Sequence, residues 1–339
     1  MENMSKLYIP ENYTPNMNVR ETEKAIKFVK DAFQRNFVRN FGFERISAPI
    51  IVRSHTGVND DLNGVERAVR FEVKEQDCVE AEIVHSLAKW KRLALKKYRF
   101  QRGEGLYTDM NAIRRDDKCD NVHSIYVDQW DWEMVICSEQ RKEDFLKRVV
   151  LRIVGAICDT LDETKKAFPA INVDLKREVK FITTQQLFDL YPDKTAHERE
   201  RLIAKEYGTV FLMQIGAPLS NGEPHDGRAP DYDDWSLNGD ILFYDSVLDD
   251  SIEISSMGIR VDGSTLMSQL KMAGAEDRLK YDYHKQVVSG ELPLTIGGGI
   301  GQSRLCMLLL GKAHIGEVQA SLWPDSMIES CEEKGMHLL

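Results

Sequence analysis

Apolar residues recur at helical spacing in three long stretches of the chain. The first begins after Asn18, whose side chain suits an N-terminal capping box, and runs to Gly42, a residue type that often ends helices. The second stretch spans residues 139–167, and the third spans residues 185–207. These patterns predict three long helices, with residues 1–17 as a loose arm before the first of them.

Strict alternation of apolar and polar residues marks the strands. Residues 67–84 alternate as the two arms of a hairpin do, and residues 124–132 alternate as a single strand. Two further strands are predicted at residues 240–244 and 252–256. The dipeptide Asn238-Gly239, which is typical of hairpin turns, predicts a turn just before the first of these two.

Shorter segments complete the outline. Residues 87–95 are basic and amphipathic and predict a short helix. Residues 43–52 predict an edge strand or a strand that meets a partner, because a proline stands inside them. Residues 217–236 are rich in Pro, Gly and Asp and predict a loop, and a last apolar helix starts at Ser303. Together the elements predict a single α+β domain over residues 18–339, built on an antiparallel sheet.

Composition narrows the possible partners. The 339 residues include 45 Lys and Arg against 55 Asp and Glu, and this net charge of −10 argues against general affinity for nucleic acid or anionic membranes. No apolar stretch reaches the roughly 18 residues that a membrane helix needs, and residues 1–19 lack the apolar segment of a signal peptide. The six cysteines form neither a C-x-x-C pair nor zinc spacing, so we expect reduced thiols in a cytoplasmic protein.

A glycine-rich run leads into the last apolar helix. Residues 297–299 are glycines and Gly301 follows them, so the backbone there can lie close to a ligand. Arg304 opens the helix, and an arginine in that position is costly to bury unless it meets an anion. No Gly-Lys-Ser/Thr follows, so the run is not a P-loop. Taken alone, the run fits a glycine turn with a surface arginine as well as it fits a nucleotide clamp.

Two further segments carry candidate chemistry. Arg114 precedes the polar loop 115–118, after which the chain returns to a strand that holds Gln129 and Asp131. An arginine before such a loop suits the α-phosphate of a nucleotide, although a solvated hairpin tip is a common alternative. The stretch 42–51, GFERISAPII, is by itself better explained as a helix–strand junction.

Together the three segments resemble motifs 1, 2 and 3 of class II aminoacyl-tRNA synthetases, and they occur in the same order. The matching positions are Gly42, Phe43 and Pro49 for motif 1, Arg114 and the strand Tyr126–Glu133 for motif 2, and the glycines with Arg304 for motif 3. More specific strings are VHSLAKWKR (84–92), GEGLYTDM (103–110), HSIYVDQWDWE (123–133), APDYDDW (229–235), LNGDIL (237–242), EISSMGIRVD (253–262) and GGGIGQSRL (297–305). Through these strings the chain, from about Val19 to about Trp323, resembles ammonia-dependent asparagine synthetases, also called aspartate–ammonia ligases.

This resemblance implies a fold, a reaction and partners. The fold would be the class II synthetase-like catalytic domain, an antiparallel sheet flanked by helices, assembled as a homodimer largely through motif 1. The reaction would amidate L-aspartate with ammonia to L-asparagine, using ATP and Mg2+ through a β-aspartyl-adenylate and releasing AMP and pyrophosphate. Neither nucleic acid nor membrane would be a partner.

The resemblance also implies roles for residues that would bind the nucleotide. ATP or AMP would be bound by Arg114, His123, Val127, Asp233, Glu253, Ile254, Ser255 and Arg304. Arg114 would neutralise the charge that grows on the α-phosphorus, and Arg304 would hold the nucleotide from the other side. Asp240 and Glu253 would supply hard oxygen ligands for Mg2+, although without the resemblance Asp240 is better explained as a turn residue.

A second set of residues would handle the amino acid and ammonia. Aspartate would be bound by Ser86, Lys91, Gln129, Asp131, Ser256, Arg260 and Gly297. The catalytic residues would be Asp60, Arg114 and Gln129. Asp60 would accept a proton from ammonium, which has no lone pair of its own. Among neighbouring charges, Asp61 is expected to be an ordinary loop residue, and Lys89 and Arg92 to form a solvated helix face.

Two alternatives stay open at this point. An aspartyl- or asparaginyl-tRNA synthetase would share the adenylation step, but it would need an anticodon-binding domain, for which the resemblance leaves little of the chain. A non-catalytic amino-acid sensor would be expected to have lost Asp60, Arg114 or Arg304, all of which are present. Free ammonia is the expected nitrogen source, because residue 2 is Glu2 and no cysteine stands in a Gly-x-Cys-x-Gly elbow.

Overall fold

The computed structural model describes residues 7–60, 62 and 66–339, so Asp61 lies outside the described residues. The helices of this part are α1 (Val19–Phe41), α2 (Ala88–Lys97), α3 (Glu143–Ala167), α4 (Thr184–Leu190), α5 (Ala196–Tyr207), α6 (Gly263–Met272), α7 (Asp282–Val288), α8 (Gln302–Leu310) and α9 (Asp325–Glu332). Its strands are β1 (Glu44–Arg45), β2 (Ile51–Arg53), β3 (Arg70–Val73), β4 (Val79–Ile83), β5 (Gly105–Ile113), β6 (Tyr126–Val135), β7 (Lys180–Thr183), β8 (Thr209–Met213), β9 (Asp233–Asp245), β10 (Asp250–Arg260) and β11 (Thr295–Gly301). The predicted α+β class is confirmed.

A mixed sheet, which has eight strands in the described part of the chain, forms the centre of the molecule. Its order is β1-β5-β6-β11-β10-β9-β8-β7. Neighbours from β5 to β8 along this order pair antiparallel, as expected. At the two edges, β1 pairs with β5 and β7 pairs with β8 in parallel, so the sheet is not purely antiparallel. Strands β2, β4 and β3 form a separate antiparallel sheet.

Helix α1 has the predicted bounds and supports the middle of the sheet. Asn18 and Glu21 form the capping box, and Gly42 ends the helix in the left-handed conformation, with φ of 68°. Phe33 of α1 packs on Trp130 of β6 with ring centroids 4.5 Å apart, and both side chains are fully buried. The helix therefore fixes β6, the strand that carries the predicted polar pair.

The stretch predicted as one helix over residues 185–207 forms two helices. Helix α4 ends at Leu190 and α5 begins at Ala196. Pro192 stands between them and has no N–H with which to continue a helix. Thr195 then caps α5 by accepting a hydrogen bond of 3.2 Å from the backbone N–H of Glu198.

The predicted turn at Asn238-Gly239 is wrong, because both residues lie inside the long strand β9, and the hairpin turns at residues 246–249. The Asn238 side chain exchanges two hydrogen bonds of 2.9 Å with the backbone of Ile215. Gly239 lies so close to β8 that a Cβ there would overlap the carbonyl oxygen of Leu212. The dipeptide therefore allows β9 to contact the backbone of Leu212 and Ile215. Local turn propensity gives no sign of such contacts.

Segments outside the helices and strands are also held in place. Residues 7–17 contain neither a helix nor a strand, yet Tyr13 packs against the core and Met17 is buried, so they differ from the loose arm expected. Their separation from the domain at 18–339 stays a prediction. The loop predicted at residues 217–236 is shorter, because β9 begins at Asp233. Among the described residues, no helix is long and apolar enough to cross a membrane.

Helix α3 offers a test of the fold away from the cavity. A Cβ added to Gly155 would meet no atom within 4 Å. Because alanine loses less backbone entropy than glycine in a helix, Gly155→Ala is expected to stabilise the protein by about 0.5–1 kcal/mol. Urea unfolding should show a higher midpoint with an unchanged slope. A lower midpoint would contradict the open environment of this position.

Candidate active site

A cavity of about 610 Å³ gathers most of the predicted site residues, and its volume is typical of small-molecule sites. Predicted residues that line it are Asp60, Ser86, Lys91, Arg114, His123, Val127, Gln129, Asp131, Asp233, Glu253, Ile254, Ser256, Arg260 and Arg304. Asp240, Ser255 and Gly297 stand outside its lining. Residues that are distant in sequence thus meet around one space, mainly because β6, β10 and β11 are neighbours in the sheet.

The glycine run is strand β11, so the turn considered for it is wrong. Gly299 pairs with Asp131 on β6, and Gly297 pairs with Glu133. A Cβ on Gly299 would overlap Oε1 of Gln129 and lie 2.9 Å from Oδ1 of Asp131. A Cβ on Gly297 would overlap the carboxylate of Glu133. The absent side chains therefore make room for the polar side chains of β6.

Lys91 and Asp131 form a buried ion pair on the cavity wall. Nζ of Lys91 lies 2.8 Å from Oδ2 of Asp131, and it donates a hydrogen bond of 2.8 Å to the carbonyl oxygen of Gly298. Burial lowers the pKa of Lys91, and the charge of Asp131 opposes that shift. Oδ1 of Asp131 is buried without a hydrogen-bond partner in the described part of the chain. Such a pair can offer an anion to an ammonium group and a cation to a carboxylate.

Arg260 is fixed between two acidic side chains. Its Nε and Nη2 donate to Glu133 at 3.0 and 2.7 Å, and its Nη1 donates to Asp233. Burial would raise the pKa of Glu133, but Arg260 beside it holds that pKa below its ordinary value. Asp233, predicted at the nucleotide, thus contacts the residue predicted at the amino acid. Glu133 was not predicted, although strand alternation places it on the same face as Asp131.

Arg114 and Arg304 also line the cavity. Nη2 of Arg114 donates a hydrogen bond of 3.3 Å to the carbonyl of His85, and its buried Nε has no partner among the described residues. Arg304 donates from Nε to the carbonyl of Val122 at 3.2 Å and from Nη1 to the carbonyl of Glu253 at 3.1 Å. Guanidinium groups facing one space suit phosphate oxygens, because each can hold two of them.

Asp240 and Glu253, the predicted metal ligands, stand on the neighbouring strands β9 and β10. Burial raises the pKa of Asp240; an ion pair with Arg228 opposes this shift and the charge of Glu253 adds to it. For Glu253, Arg304 and Arg228 outweigh burial and hold the pKa below its ordinary value. The described residues contain no group of three or more metal-binding side chains. Two carboxylates with phosphate and water oxygens are a donor set that fits Mg2+.

Asp60 is buried with one carboxylate oxygen unused. Its Oδ1 accepts a hydrogen bond of 3.0 Å from the backbone N–H of Leu62, whereas Oδ2 has no partner among the described residues. Burial raises the pKa of Asp60, Lys89 opposes this shift, and the buried carboxylate of Asp231 adds to it. A carboxylate with a raised pKa and an open oxygen on a cavity wall is suited to proton transfer.

Lys89 and Arg92 are buried, so the solvated helix face expected for them is wrong. Nζ of Lys89 lies 3.2 Å from Oδ2 of Asp231. Arg92 donates hydrogen bonds of 2.9 and 2.8 Å to the carbonyls of Pro293 and Val261. Helix α2 contacts β5, β6 and β11, so charges that look solvated on a helical projection are covered by the rest of the fold.

Comparison with known proteins places the chain in a family. Residues 20–335 match the protein family described as Aspartate-ammonia ligase. An aspartate–ammonia ligase of Clostridium tetani is 56% identical over 334 residues, which cover 98% of each chain. Another from Levilactobacillus brevis is 56% identical over 333 residues, which cover 98% of this chain and 99% of that one. These relatives are ligases, and they support neither the tRNA synthetase nor the sensor alternative.

Solved structures identify the fold. Asparaginyl-tRNA synthetase from Pyrococcus horikoshii, complexed with asparaginyl-adenylate, superposes with a TM-score of 0.64 at 17% identity, over 94% of this chain and 76% of that one. The Entamoeba histolytica asparaginyl-tRNA synthetase gives 0.63 at 17% identity, over 89% of this chain and 66% of that one. The predicted class II synthetase-like fold is confirmed. The chain therefore belongs to the aspartate–ammonia ligase family and has the catalytic fold of class II aminoacyl-tRNA synthetases.

Proposed function

We propose that the protein amidates the β-carboxyl of L-aspartate with free ammonia, forming L-asparagine through a β-aspartyl-adenylate and releasing AMP and pyrophosphate from ATP. One observation carries the proposal. A single cavity is lined by Arg114 and Arg304, whose guanidinium groups suit phosphate, by the buried Lys91–Asp131 pair suited to an amino acid, and by the carboxylate of Asp60 with an open oxygen. Each of the three substrates thus has a chemical counterpart in one space.

The first step activates the carboxyl group. Asp131 would hold the α-ammonium of aspartate, while Lys91 and Arg260 would take its carboxylates and Gln129 would orient the reacting oxygen. That oxygen attacks the α-phosphorus, and the bond from the phosphorus to the bridging oxygen of pyrophosphate breaks. Arg114 would neutralise the charge on the α-phosphate in the transition state, because its buried Nε has no competing partner among the described residues.

Mg2+ would be held by Asp240 and Glu253 and would neutralise the phosphates. The electrostatics of the pair support this role, since burial raises the pKa of Asp240, the charge of Glu253 adds to that rise, and a divalent cation would relieve the repulsion. Arg228, which pairs with Asp240 and lines the cavity, would share the phosphate charge. Arg304 would fix the nucleotide from the helix side of the cavity.

The second step forms the amide. Asp60 would attract ammonium into the cavity and accept one of its protons on Oδ2, which frees the nitrogen lone pair. The nitrogen attacks the carbonyl carbon of the adenylate, the bond from that carbon to the phosphate oxygen breaks, AMP leaves, and the nitrogen releases its extra proton to water to give the amide. Burial favours this transfer, because it raises the pKa of Asp60 and makes the carboxylate a stronger base.

We propose in addition that the protein is a cytoplasmic homodimer that needs no nucleic acid. The six cysteines, all of which lie in the described part of the chain, are free thiols, which suits a reducing compartment. Ile50 and Ile51, at the end of the motif 1 segment, are large apolar residues with about half of their surface exposed, at 49% and 44%. A second copy would cover such residues.

A product assay tests the proposed reaction. With ATP, Mg2+, aspartate and an ammonium salt, we expect asparagine, AMP and pyrophosphate in equal amounts. Without ammonium, the enzyme should still exchange labelled pyrophosphate into ATP when aspartate is present. Formation of ADP and phosphate would refute the adenylate, and a requirement for tRNA would refute the use of free ammonia.

A further inference from the structure

We propose that residues 7–17 are a positioning element of the ATP site, acting through Asn121 on the segment that holds Arg304. The inference rests on the proposed function, because it takes the side of the cavity lined by Arg114, His123 and Arg304 to be the nucleotide side. It gives a role to residues 7–17, none of which lines the cavity.

The first contact is made by the side chain of Asn121, which forms two hydrogen bonds with the backbone of the arm, as a neighbouring strand would. The backbone N–H of Tyr8 donates to Oδ1 of Asn121 at 2.8 Å, and Nδ2 of Asn121 donates back to the carbonyl of Tyr8 at 2.7 Å. Asn121 is buried. Two opposed hydrogen bonds fix both the distance and the orientation of this side chain, which a single bond would not do.

Further hydrogen bonds connect Asn121 to residues that line the cavity. Its Nδ2 also donates to the carbonyl of Ala313 at 2.7 Å, and its own carbonyl accepts from the N–H of Ile315 at 2.7 Å. The next residue, Val122, offers its carbonyl to Nε of Arg304 at 3.2 Å. Val122, Ile315 and Arg304 all line the cavity. Only Asn121 and Val122 therefore lie between Tyr8 of the arm and Arg304, the cation that we assign to the nucleotide.

A second set of contacts holds the far end of the helix that carries Arg304. Nδ2 of Asn16 donates to the carbonyl of Leu310, the last residue of α8, at 2.8 Å. The hydroxyl of Tyr13 donates to the carboxylate of Glu317 at 2.9 Å. The arm thus contacts α8 at its end and the segment that follows it. Both contacts limit rotation of the helix against β6.

Loss of these contacts is expected to affect the binding of one substrate more than that of the other. Residues 7–17 act on Arg304 and on the end of the motif 2 loop, whereas Lys91 and Asp131 belong to α2 and β6 and form their hydrogen bonds and ion pair with other parts of the described chain. Loss of the arm contacts should therefore weaken ATP binding more than aspartate binding. Because coupling between two sites is reciprocal, ATP binding must in turn favour the docked arm.

Hydrogen exchange on the full-length protein tests this reciprocity without any variant. ATP with Mg2+ should slow exchange in residues 7–17 and in residues 122–128, whereas aspartate alone should leave residues 7–17 unchanged. Residues 180–190, which include β7 at the far edge of the sheet, serve as the internal reference. If ATP slows exchange in residues 122–128 but not in residues 7–17, the role of the arm is refuted and the ATP site is still supported. No change in 122–128 would instead refute the nucleotide site and with it this inference.

A variant of Asn121 distinguishes a role in positioning the ATP site from a role in the stability of the fold alone. Asn121→Asp keeps the acceptor for Tyr8 but loses the donor to the Tyr8 and Ala313 carbonyls. We expect the KM for ATP in aspartate-dependent pyrophosphate exchange to rise roughly tenfold, because the two hydrogen bonds donated by Nδ2 are lost and only part of their free energy reaches the ATP site, with the KM for aspartate within twofold. Asn172→Asp, at an exposed loop position, is the charge-matched control. Equal rises in both KM values, or an unchanged KM for ATP, would overturn the proposal. If the variant fails to fold, the hydrogen-exchange experiment on the wild-type protein decides.

Discussion

Gly299→Ala is expected to remove most of the activity while leaving the fold nearly as stable as before. A Cβ at this position would overlap Oε1 of Gln129 and lie 2.9 Å from Oδ1 of Asp131. Both atoms are at the ends of side chains and not in the backbone, so they can move aside without breaking the sheet. A displacement of about 1 Å in groups that orient the substrate costs on the order of 100-fold in rate. Aspartate-dependent pyrophosphate exchange measures this loss.

Two other glycines provide the controls for this experiment. Gly155→Ala, in α3, should keep full exchange activity because no atom lies within 4 Å of its new Cβ. Gly298→Ala should behave differently from Gly299→Ala, since its Cβ would lie 2.6 Å from the Cβ of Met257 and 2.7 Å from the carbonyl oxygen of Ser256. Backbone cannot move aside cheaply, so this variant should lose stability as well as activity. Wild-type exchange by Gly299→Ala would contradict the role assigned to β11.

The glycine run also shows where sequence reasoning stops. From the chain alone it fitted a turn or a nucleotide clamp equally well, and the three segments became specific only through their joint resemblance to a family. The structural reason for Gly297 and Gly299 lies in side chains of β6, which is far away in sequence. Residue type and local pattern carry no information about which strand will lie opposite. Only the sheet register supplies it.

Local signals were sufficient where the cause was local. The capping box at Asn18 and the glycine at Gly42 fixed both ends of α1, since each acts within a single turn of helix. Lys89 and Arg92 show the opposite case. Their helix looked amphipathic and basic, but tertiary packing covers that face and supplies Asp231 and backbone carbonyls as partners. Buried charges that are paired at long range cannot be told from solvated ones by periodicity.

Asp60→Asn is expected to separate the two halves of the reaction. Asparagine has nearly the same shape and keeps an acceptor for the N–H of Leu62, which donates to Oδ1 of Asp60 at 3.0 Å. It cannot accept a proton from ammonium at neutral pH. Amide formation should fall by about 100- to 10,000-fold, the usual range for loss of a general base. Aspartate-dependent pyrophosphate exchange should stay close to the wild-type rate, because ammonia takes no part in it.

The pH dependence of the same variant tests the proton transfer directly. In the wild type, Asp60 must be ionised to act as a base, so the rate of amide formation should fall as the pH drops through its pKa. Burial raises that pKa, so the fall should begin above the ordinary range for aspartate. The residual activity of Asp60→Asn should lack this inflection, whereas Asp193→Asn, at an exposed position between α4 and α5, should keep it. An equal loss of exchange and amide formation in Asp60→Asn would show that Asp60 supports the adenylate instead, and the base would then have to be sought among the other acidic groups of the cavity.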